Sequence, residues 1–210
     1  MGGVNVFRPH GEFDVADFCR RHAVTCLDIS RMHASDLANR GGIGRFEGVK
    51  LRTGGSAIPI DVRRAIEQRV TPLLFVRYAS TESGAIAMAG PGEHDEDESV
   101  GRPLPGVELE VVDADNRPVP PGTTGRIRLR AAGMATGYLG GGEQSAARFR
   151  DGWFWPGDVG LLRSDGRLVV QGRQDDMMIL NGLNIFPSEI ERVLERHPAV
   201  SVAAALPLAS

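Results

Sequence analysis

The first hundred residues alternate between stretches of helical period and short apolar runs of strand length. Helical spacing predicts helices over residues 14–22, 34–42 and 62–70, and the apolar runs predict strands over residues 25–30, 48–52 and 73–76. Asp14 stands at the N-cap position of the first helix, and Gly41 and Gly42 are placed to end the second. Strands that alternate with helices predict a parallel sheet flanked by helices, an α/β fold.

Sheets of this kind bind ligands at the carboxyl ends of their strands. Applied to the predicted strands, that rule indicates three short segments as candidate ligand-binding positions. They are residues 30–33, 54–57 and 78–82.

The middle of the chain has a period of two instead. Residues 107–111 alternate apolar side chains with glutamate, and residues 126–130 alternate arginine with apolar side chains. Such alternation predicts antiparallel strands with one face towards solvent, so residues 100–172 are expected to form a small β-sheet or open barrel. The acidic residues 93–98 are expected to lie in a solvated loop, and Trp153 and Trp155 to pack in the core.

The last part of the chain changes character again. Two apolar runs around Asn181-Gly182 predict a hairpin, and a helix with a capping box from Ser188 to Glu191 should follow it. Residues 201–207 read as the start of a strand. These elements are too few for an independent core, so the chain is expected to be cut within an α+β subdomain.

Composition narrows the class of protein. The 210 residues are 41% hydrophobic and 24% charged, which is typical of a soluble globular protein. A net charge of −3 gives no reason to expect nucleic acid as a partner, and no apolar run approaches the length of a membrane span. Two cysteines in a chain without a signal pattern favour a reduced, cytoplasmic location.

Candidate chemistry is concentrated between residues 151 and 191. Asp158 lies among turn formers, and Arg173 precedes Asp175 and Asp176 in a polar turn. A carboxylate and a guanidinium at neighbouring strand ends could hold a sugar–phosphate, the carboxylate by its hydroxyls and the guanidinium by its oxygens. The alternative is structural, since such residues are often ordinary turn residues or a surface ion pair.

The stretch from residue 151 to 191 resembles the signature of adenylate-forming ligases, which include acyl- and aryl-CoA synthetases, luciferases and the adenylation domains of peptide synthetases. The segment YASTESG, residues 78–84, is similar to the motif of this family that binds the nucleotide. The resemblance implies that Tyr78 contacts the nucleotide, that Thr81 meets the adenylate phosphate and that Glu82 holds Mg²⁺. Ala79 replaces the usual glycine.

Other segments extend the resemblance in family order. Gly54, Gly55 and Ser56 look like the turn that lies against adenine, where absent side chains let the ring approach the backbone. The segment GYLG, residues 137–140, followed by DGWFWPGD, residues 151–158, resembles the segment whose aspartate, here Asp158, binds both ribose hydroxyls. Pro156 replaces its usual threonine or serine partner, which removes one polar contact.

The resemblance also implies a moving part. Arg173 would contact ribose or phosphate, Asp175 would be the pivot of the hinge, and Gly182 would line the pantetheine channel of coenzyme A. His33 stands where such ligases have a gate residue beside the acyl pocket, although it could equally be an ordinary surface histidine.

The implied organisation places one AMP-binding domain before the hinge. Its α/β part covers residues 1–99 and its β-rich part residues 100–172, the hinge covers residues 173–176, and residues 177–210 begin a mobile C-terminal subdomain.

The implied function is that of an ATP-dependent carboxylic acid:CoA ligase, with ATP or AMP, Mg²⁺ and coenzyme A as cofactors. The lysine-bearing phosphate loop and the late catalytic lysine of the family are not found in this sequence. Feeble activity is therefore expected of the chain alone, with the other ligase segments or a second copy as possible partners. The alternative hypothesis is a non-catalytic nucleotide-binding or interaction remnant.

Overall fold

The computed structural model describes residues 3–7, 14–40, 44–180, 183–195, 197, 199–200 and 202–206. Contacts between residues divide the chain into two compact units. The first contains Met1–Val76 with Gly90–His94, and the second contains Arg77–Ala89 with Asp95–Ser210. Among the described residues, no helix combines the length and the apolar character that crossing a membrane requires.

The first unit has the predicted alternation of helices and strands. Its elements are α1 Val15–Arg21, β1 Cys26–Ser30, α2 Arg31–Asn39, β2 Lys50–Gly54, α3 Ile60–Arg69 and the first half of β3 Leu74–Ser80. Strands β1 and β2 are parallel, with Cys26 opposite Lys50 and Ser30 opposite Gly54. This pairing confirms the parallel character of the sheet.

Side-chain caps set where the first two helices begin. Asp14 accepts a hydrogen bond from the Asp17 amide at 2.8 Å, which confirms its predicted role as the N-cap of α1. Helix α2 begins at Arg31, three residues before the predicted start, because Ser30 caps it and accepts from the His33 amide at 3.4 Å. The predicted stop at residues 41–42 lies outside the described residues.

Helix α3 buries an arginine, which its hydrophobic pattern does not predict. Arg63 has no exposed surface and lies between the buried residues Ile60 and Ile66. Its Nε atom donates to the carbonyl of Ile58 at 2.8 Å. A buried guanidinium is tolerated only where its donors find acceptors, and here backbone oxygen provides one.

The second unit is mainly antiparallel. The second half of β3 continues into β4 Gly84–Ala89 and β5 Arg102–Pro103. The other elements are β6 Val107–Val112, β7 Gly125–Ala131, α4 Gly142–Arg148, β8 Phe149–Arg150, β9 Trp153–Phe154, β10 Asp158–Leu162, β11 Leu168–Arg173, a 3-10 helix Gln174–Asp176, β12 Met178–Leu180, β13 Leu183–Ile185 and α5 Pro187–Glu195. The strand order is β11-β10-β7-β9-β8, with β6 also paired to β7. The predicted β-rich region is confirmed, and α4 is an addition to it.

The two tryptophans pack in the way the sequence predicts. Trp153 and Trp155 are buried, with relative exposures of 8% and 6%. Arginines cover them: the Arg128 guanidinium lies 4.5 Å from the centre of the Trp153 ring, and that of Arg150 lies 4.4 Å from the Trp155 ring. Each such contact stabilises the fold modestly while shielding the rings from water.

The acidic segment is a loop, as predicted, but only part of it is exposed to solvent. Glu98 is 9% exposed and accepts from Arg192 of α5 at 3.1 Å. Asp95 accepts from Arg163 at 2.6 Å and from Arg167 at 3.1 Å, both around the turn between β10 and β11. These carboxylates pair with arginines that are distant in sequence. A local charge pattern cannot predict such partners.

The C-terminal hairpin is confirmed, since β12 and β13 are antiparallel with Met178 opposite Ile185. The predicted capping box is wrong, because α5 begins at Pro187. Ser188 then lies inside the helix, and its hydroxyl donates to the Gln171 carbonyl at 2.8 Å. Proline suits the first helical position because its missing N–H would have no partner there.

The strand predicted from residue 201 onward is also wrong for the described residues, because residues 202–206 have no regular secondary structure. Two of their amides donate to side chains of α5 instead. The amide of Ala203 donates to Glu195 at 3.4 Å, and that of Ala205 donates to Glu191 at 3.1 Å.

Two glycines before and after β5 allow a matched test of backbone packing. Gly101 and Gly106 both have positive φ, but only at Gly101 would a Cβ atom meet backbone, 1.9 Å from the Met88 carbonyl oxygen. We expect Gly106→Ala to lower the free energy of unfolding by about 1 kcal/mol, and Gly101→Ala by roughly 3 kcal/mol or more. Urea denaturation of both variants measures the difference. Equal losses would contradict the close approach at Gly101.

Candidate functional site

Two paired strands of the second unit set the centre of the candidate site. Asp158 is the first residue of β10 and Arg173 the last residue of β11, and the antiparallel register places them opposite each other. Cross-strand neighbours on one face lie about 5 Å apart at their Cβ atoms. The register therefore brings together the carboxylate and the guanidinium that the sequence predicts as a pair.

The Asp158 carboxylate is well enclosed, with 13% of its side chain exposed. One oxygen accepts a short hydrogen bond from the Tyr78 hydroxyl, and the other lies 3.5 Å from Arg173 Nη1. The same Arg173 nitrogen donates to the Pro156 carbonyl at 3.0 Å. Proline at position 156 thus still offers a backbone acceptor, although it lacks the hydroxyl that the family resemblance implies there.

Tyr78 is held as a neutral hydrogen-bond donor. Burial raises the pKa of its phenol above the usual value, and the negative charge and hydrogen bond of Asp158 raise it further. Tyr78 comes from the second half of β3, so the contact joins this strand to β10.

The turn between β3 and β4 presents the predicted phosphate and metal residues. Thr81 is exposed, and Glu82 follows it in the same turn. The Tyr138 hydroxyl donates to Glu82 Oε1 at 2.6 Å. That hydrogen bond is the main reason why the pKa of Glu82 lies below its usual value, and the positive charge of Arg148 lowers it further, against the effect of burial. Glu82 is therefore held as a carboxylate at neutral pH.

The predicted hinge pivot is tied to a residue that sequence reasoning missed. Asp175 lies in the 3-10 helix after β11, and its carboxylate accepts from Arg148 Nη2 at 3.0 Å. Arg148 ends α4 and also donates to the Trp155 carbonyl at 3.4 Å. A Cβ atom at Gly157 would stand 2.0 Å from Arg148 Nη1, so the glycine before Asp158 makes room for this guanidinium.

Tyr138 and Arg148 were not predicted as site residues. Tyr138 meets Glu82 across 56 positions of sequence, and Arg148 meets Asp175 across 27. The segment GYLG, which contains Tyr138, belongs to the family resemblance, and that was the one available signal. Neither contact follows from local periodicity or spacing.

Four of the remaining predicted residues lie in the first unit. Gly54 ends β2, and Gly55 has a φ of +92° with open space where a Cβ atom would stand. Ser56 follows them in the bend. His33 is exposed on α2, its Nδ1 atom lies 2.9 Å from the Ser30 hydroxyl, and it lines a cleft of about 1940 Å³ within this unit. Gly182 lies outside the described residues.

Known proteins match the chain in sequence over most of its length. The family model for AMP-binding enzymes matches residues 1–139. An indoleacetate–CoA ligase from Aromatoleum aromaticum is 36% identical over 156 residues, which cover 73% of this chain and 30% of that protein. A long-chain-fatty-acid–CoA ligase from Escherichia coli is 30% identical over 166 residues, covering 77% of this chain and 29% of that protein.

Solved structures match the fold as well. An amide bond synthetase from Marinactinospora thermotolerans superposes with a TM-score of 0.86 at 27% identity, over 93% of this chain and 41% of that chain. An o-succinylbenzoate–CoA synthetase from Bacillus subtilis in complex with AMP gives a TM-score of 0.84 at 27% identity, over 94% of this chain and 41% of that chain. The chain thus spans about a third of the length of the curated relatives it matches, and less than half of these structures.

The two tyrosines provide a direct test of the site contacts. Tyr78 and Tyr138 are the only tyrosines, and the pKa of each is raised, Tyr78 mainly by burial and Tyr138 mainly by its hydrogen bond to Glu82. We expect both phenols in the folded chain to ionise only above about pH 10, the usual tyrosine value. Since folding holds both protons more tightly, stability should fall as pH rises through the raised pKa values.

Ultraviolet difference absorbance at alkaline pH, in buffer and in guanidinium chloride, measures this ionisation. In denaturant both phenols should titrate normally. Phenolate formation at the same pH in the folded chain would contradict the contacts to Asp158 and Glu82.

Proposed function

Because the chain belongs to the AMP-binding enzyme family, we propose that it carries the adenosine-binding part of an ATP-dependent carboxylic acid:CoA ligase. The observation that carries the proposal is the enclosed Asp158 carboxylate, fixed opposite Arg173 at the ends of β10 and β11. A carboxylate in this setting accepts hydrogen bonds from a vicinal diol, and a guanidinium beside it binds phosphate oxygens.

Asp158 has capacity for a ribose in addition to its present contacts. A carboxylate offers about four lone-pair sites, and the contacts of Asp158 are with Tyr78 and, at 3.5 Å, with Arg173. The side chain of Arg173 is 47% exposed and can reach a ligand. We assign Asp158 to the two ribose hydroxyls and Arg173 to ribose or phosphate, both as positioning groups.

Thr81 and Glu82 fit the phosphate and Mg²⁺ roles. Among the described residues there is no group of three or more histidine, cysteine or acidic side chains that could hold a metal by itself. Mg²⁺ is usually bound through one or two carboxylates together with substrate phosphates. The ionised Glu82, next in sequence to the exposed Thr81, fits this mode of binding. When bound there, Mg²⁺ would neutralise charge on the phosphates.

The proposed reaction has two steps. An oxygen of the carboxylic acid substrate attacks the α-phosphorus of ATP, the bond to the β-phosphate oxygen breaks, and an acyl-adenylate and pyrophosphate form. The thiol sulfur of coenzyme A then attacks the acyl carbon, loses its proton and expels AMP. In both steps Asp158, Arg173 and Tyr78 hold the adenosine part, which ATP and the acyl-adenylate share.

The two steps need different groups around the nucleotide, so the C-terminal residues are proposed to rotate between the steps. Residues 173–176 are proposed as the hinge for this rotation. Asp175 is held by Arg148 in the arrangement seen here, and rotation about it would carry residues 177–210 and bring Gly182 to the pantetheine arm. In the first unit, Gly54, Gly55 and Ser56 are proposed to lie against adenine. His33 is proposed to gate the pocket for the carboxylic acid.

One observation favours the alternative of a nucleotide-binding remnant without catalysis. Asp158, Glu82 and Asp175 each accept a hydrogen bond from within the chain, so these contacts do not depend on a reacting substrate. Exchange of labelled pyrophosphate into ATP, measured with a panel of carboxylic acids, separates the two functions. Exchange above background, even at the feeble rate expected of the chain alone, supports the ligase, and nucleotide binding with no detectable exchange supports the remnant.

We expect Asp158→Ala to weaken AMP binding by at least about a hundredfold, because it removes two hydrogen bonds to a charged group that contribute about 1.5–3 kcal/mol each. Isothermal titration calorimetry of the 210-residue chain measures this loss. Asp115→Ala is the matched control, since Asp115 is an exposed aspartate between β6 and β7 with 70% of its side chain accessible.

A nucleotide that lacks one ribose hydroxyl provides a second test of the same assignment. The parent chain should lose affinity for 2′-deoxy-AMP relative to AMP, whereas Asp158→Ala should bind the two nucleotides alike. Equal AMP affinity in the parent and Asp158→Ala chains would overturn the assignment of the ribose site.

A further inference from the structure

We propose that Tyr138 is a positioning residue for the metal-binding carboxylate of Glu82. This inference rests on the proposed function, since it concerns the Mg²⁺ that Glu82 would hold. Tyr138 is not assigned to touch the nucleotide or the metal. Its hydroxyl would fix the direction in which Glu82 presents its carboxylate.

The segment that carries Tyr138 holds Glu82 at two points. The tyrosine hydroxyl donates to Glu82 Oε1 at 2.6 Å, and the amide of Ala135 donates to the Glu82 carbonyl at 2.7 Å. One contact sets the backbone of the turn after β3, and the other sets the end of the side chain. The carboxylate is thus oriented from outside its own turn.

The hydroxyl can orient another group only if it is itself held. The Tyr138 ring packs edge-on against Phe149, with centroids 5.3 Å apart and planes at 75°. Phe149 in turn stacks on Phe154 at 4.9 Å, and Phe154 is 1% exposed. Contacts among these three aromatic rings therefore fix the Tyr138 side chain against the core of the second unit.

The backbone of Tyr138 is fixed as well. Its amide donates to the Ser145 hydroxyl of α4 at 2.5 Å. The backbone at Gly141 lies close to the tyrosine, and a Cβ atom there would stand 2.6 Å from Tyr138 Cβ. A larger residue at position 141 would push the tyrosine away, so the glycine serves the placement of the ring.

The physical reason for such support is the flexibility of glutamate. A glutamate side chain loses considerable rotational freedom when it is fixed to a ligand, and this loss weakens binding. Fixing the carboxylate in advance removes part of that cost. Residues that orient metal ligands in this way typically change metal affinity by about 10- to 100-fold when they are removed.

The test separates metal-dependent from metal-independent binding. The affinity of the full 210-residue chain for ATP is measured by calorimetry with EDTA and again with excess Mg²⁺, and the ratio of the two dissociation constants is the Mg²⁺ dependence. The variant is Tyr138→Phe, which keeps the ring stack and removes the hydroxyl. Glu82→Gln is the reference for loss of the metal ligand, and it also corrects for formation of Mg·ATP in solution.

We expect Tyr138→Phe to leave the dissociation constant in EDTA within about twofold of the parent value, and to reduce the Mg²⁺ dependence about tenfold towards that of Glu82→Gln. An unchanged Mg²⁺ dependence in Tyr138→Phe, together with a clear loss in Glu82→Gln, would overturn the role of Tyr138 and leave the proposed function standing. Equal weakening in EDTA and in Mg²⁺ would also overturn it, because a merely structural role predicts that result. A parent chain with no greater Mg²⁺ dependence than Glu82→Gln would refute the metal site itself, and this inference with it.

Discussion

The candidate site depends on one register, the antiparallel pairing that sets Asp158 opposite Arg173. Moving either strand by one residue would turn one of these side chains to the opposite face of the sheet, because side chains alternate along a strand. Tyr78 then fixes the rotamer of Asp158, and the chain leaves β11 directly into the 3-10 helix that contains Asp175. The proposed binding and hinge residues are therefore adjacent because the same strand end provides both.

Around this register the acidic groups of the site are each held by one donor from a distant segment. Tyr78 holds Asp158, Tyr138 holds Glu82 and Arg148 holds Asp175. Carboxylates held in this way keep a fixed direction before any ligand arrives, which is the condition for positioning a nucleotide without further reorganisation. The absence of a side chain at Gly157 supports the last of these contacts, because it leaves room for the Arg148 guanidinium to reach Asp175.

The sequence predicts the elements that local patterns control, and it fails where a distant partner decides. The strand alternation and the cap at Asp14 are local, and the structure confirms them. The acidic segment was misjudged because Arg163 and Arg192 lie about 70 and 94 positions away in sequence from the carboxylates they bind. Within the site, Asp158 and Arg173 were predicted from motif resemblance, whereas the contact of Tyr138 with Glu82 required the fold.

The most direct measurement of the central claim is a crystal structure of the chain with AMP bound. The account predicts both ribose hydroxyls within hydrogen-bond distance of the Asp158 carboxylate, about 2.5–3.0 Å, with Arg173 turned towards the ribose or the phosphate. AMP bound elsewhere, with Asp158 in contact with Tyr78 and Arg173 alone, would contradict it.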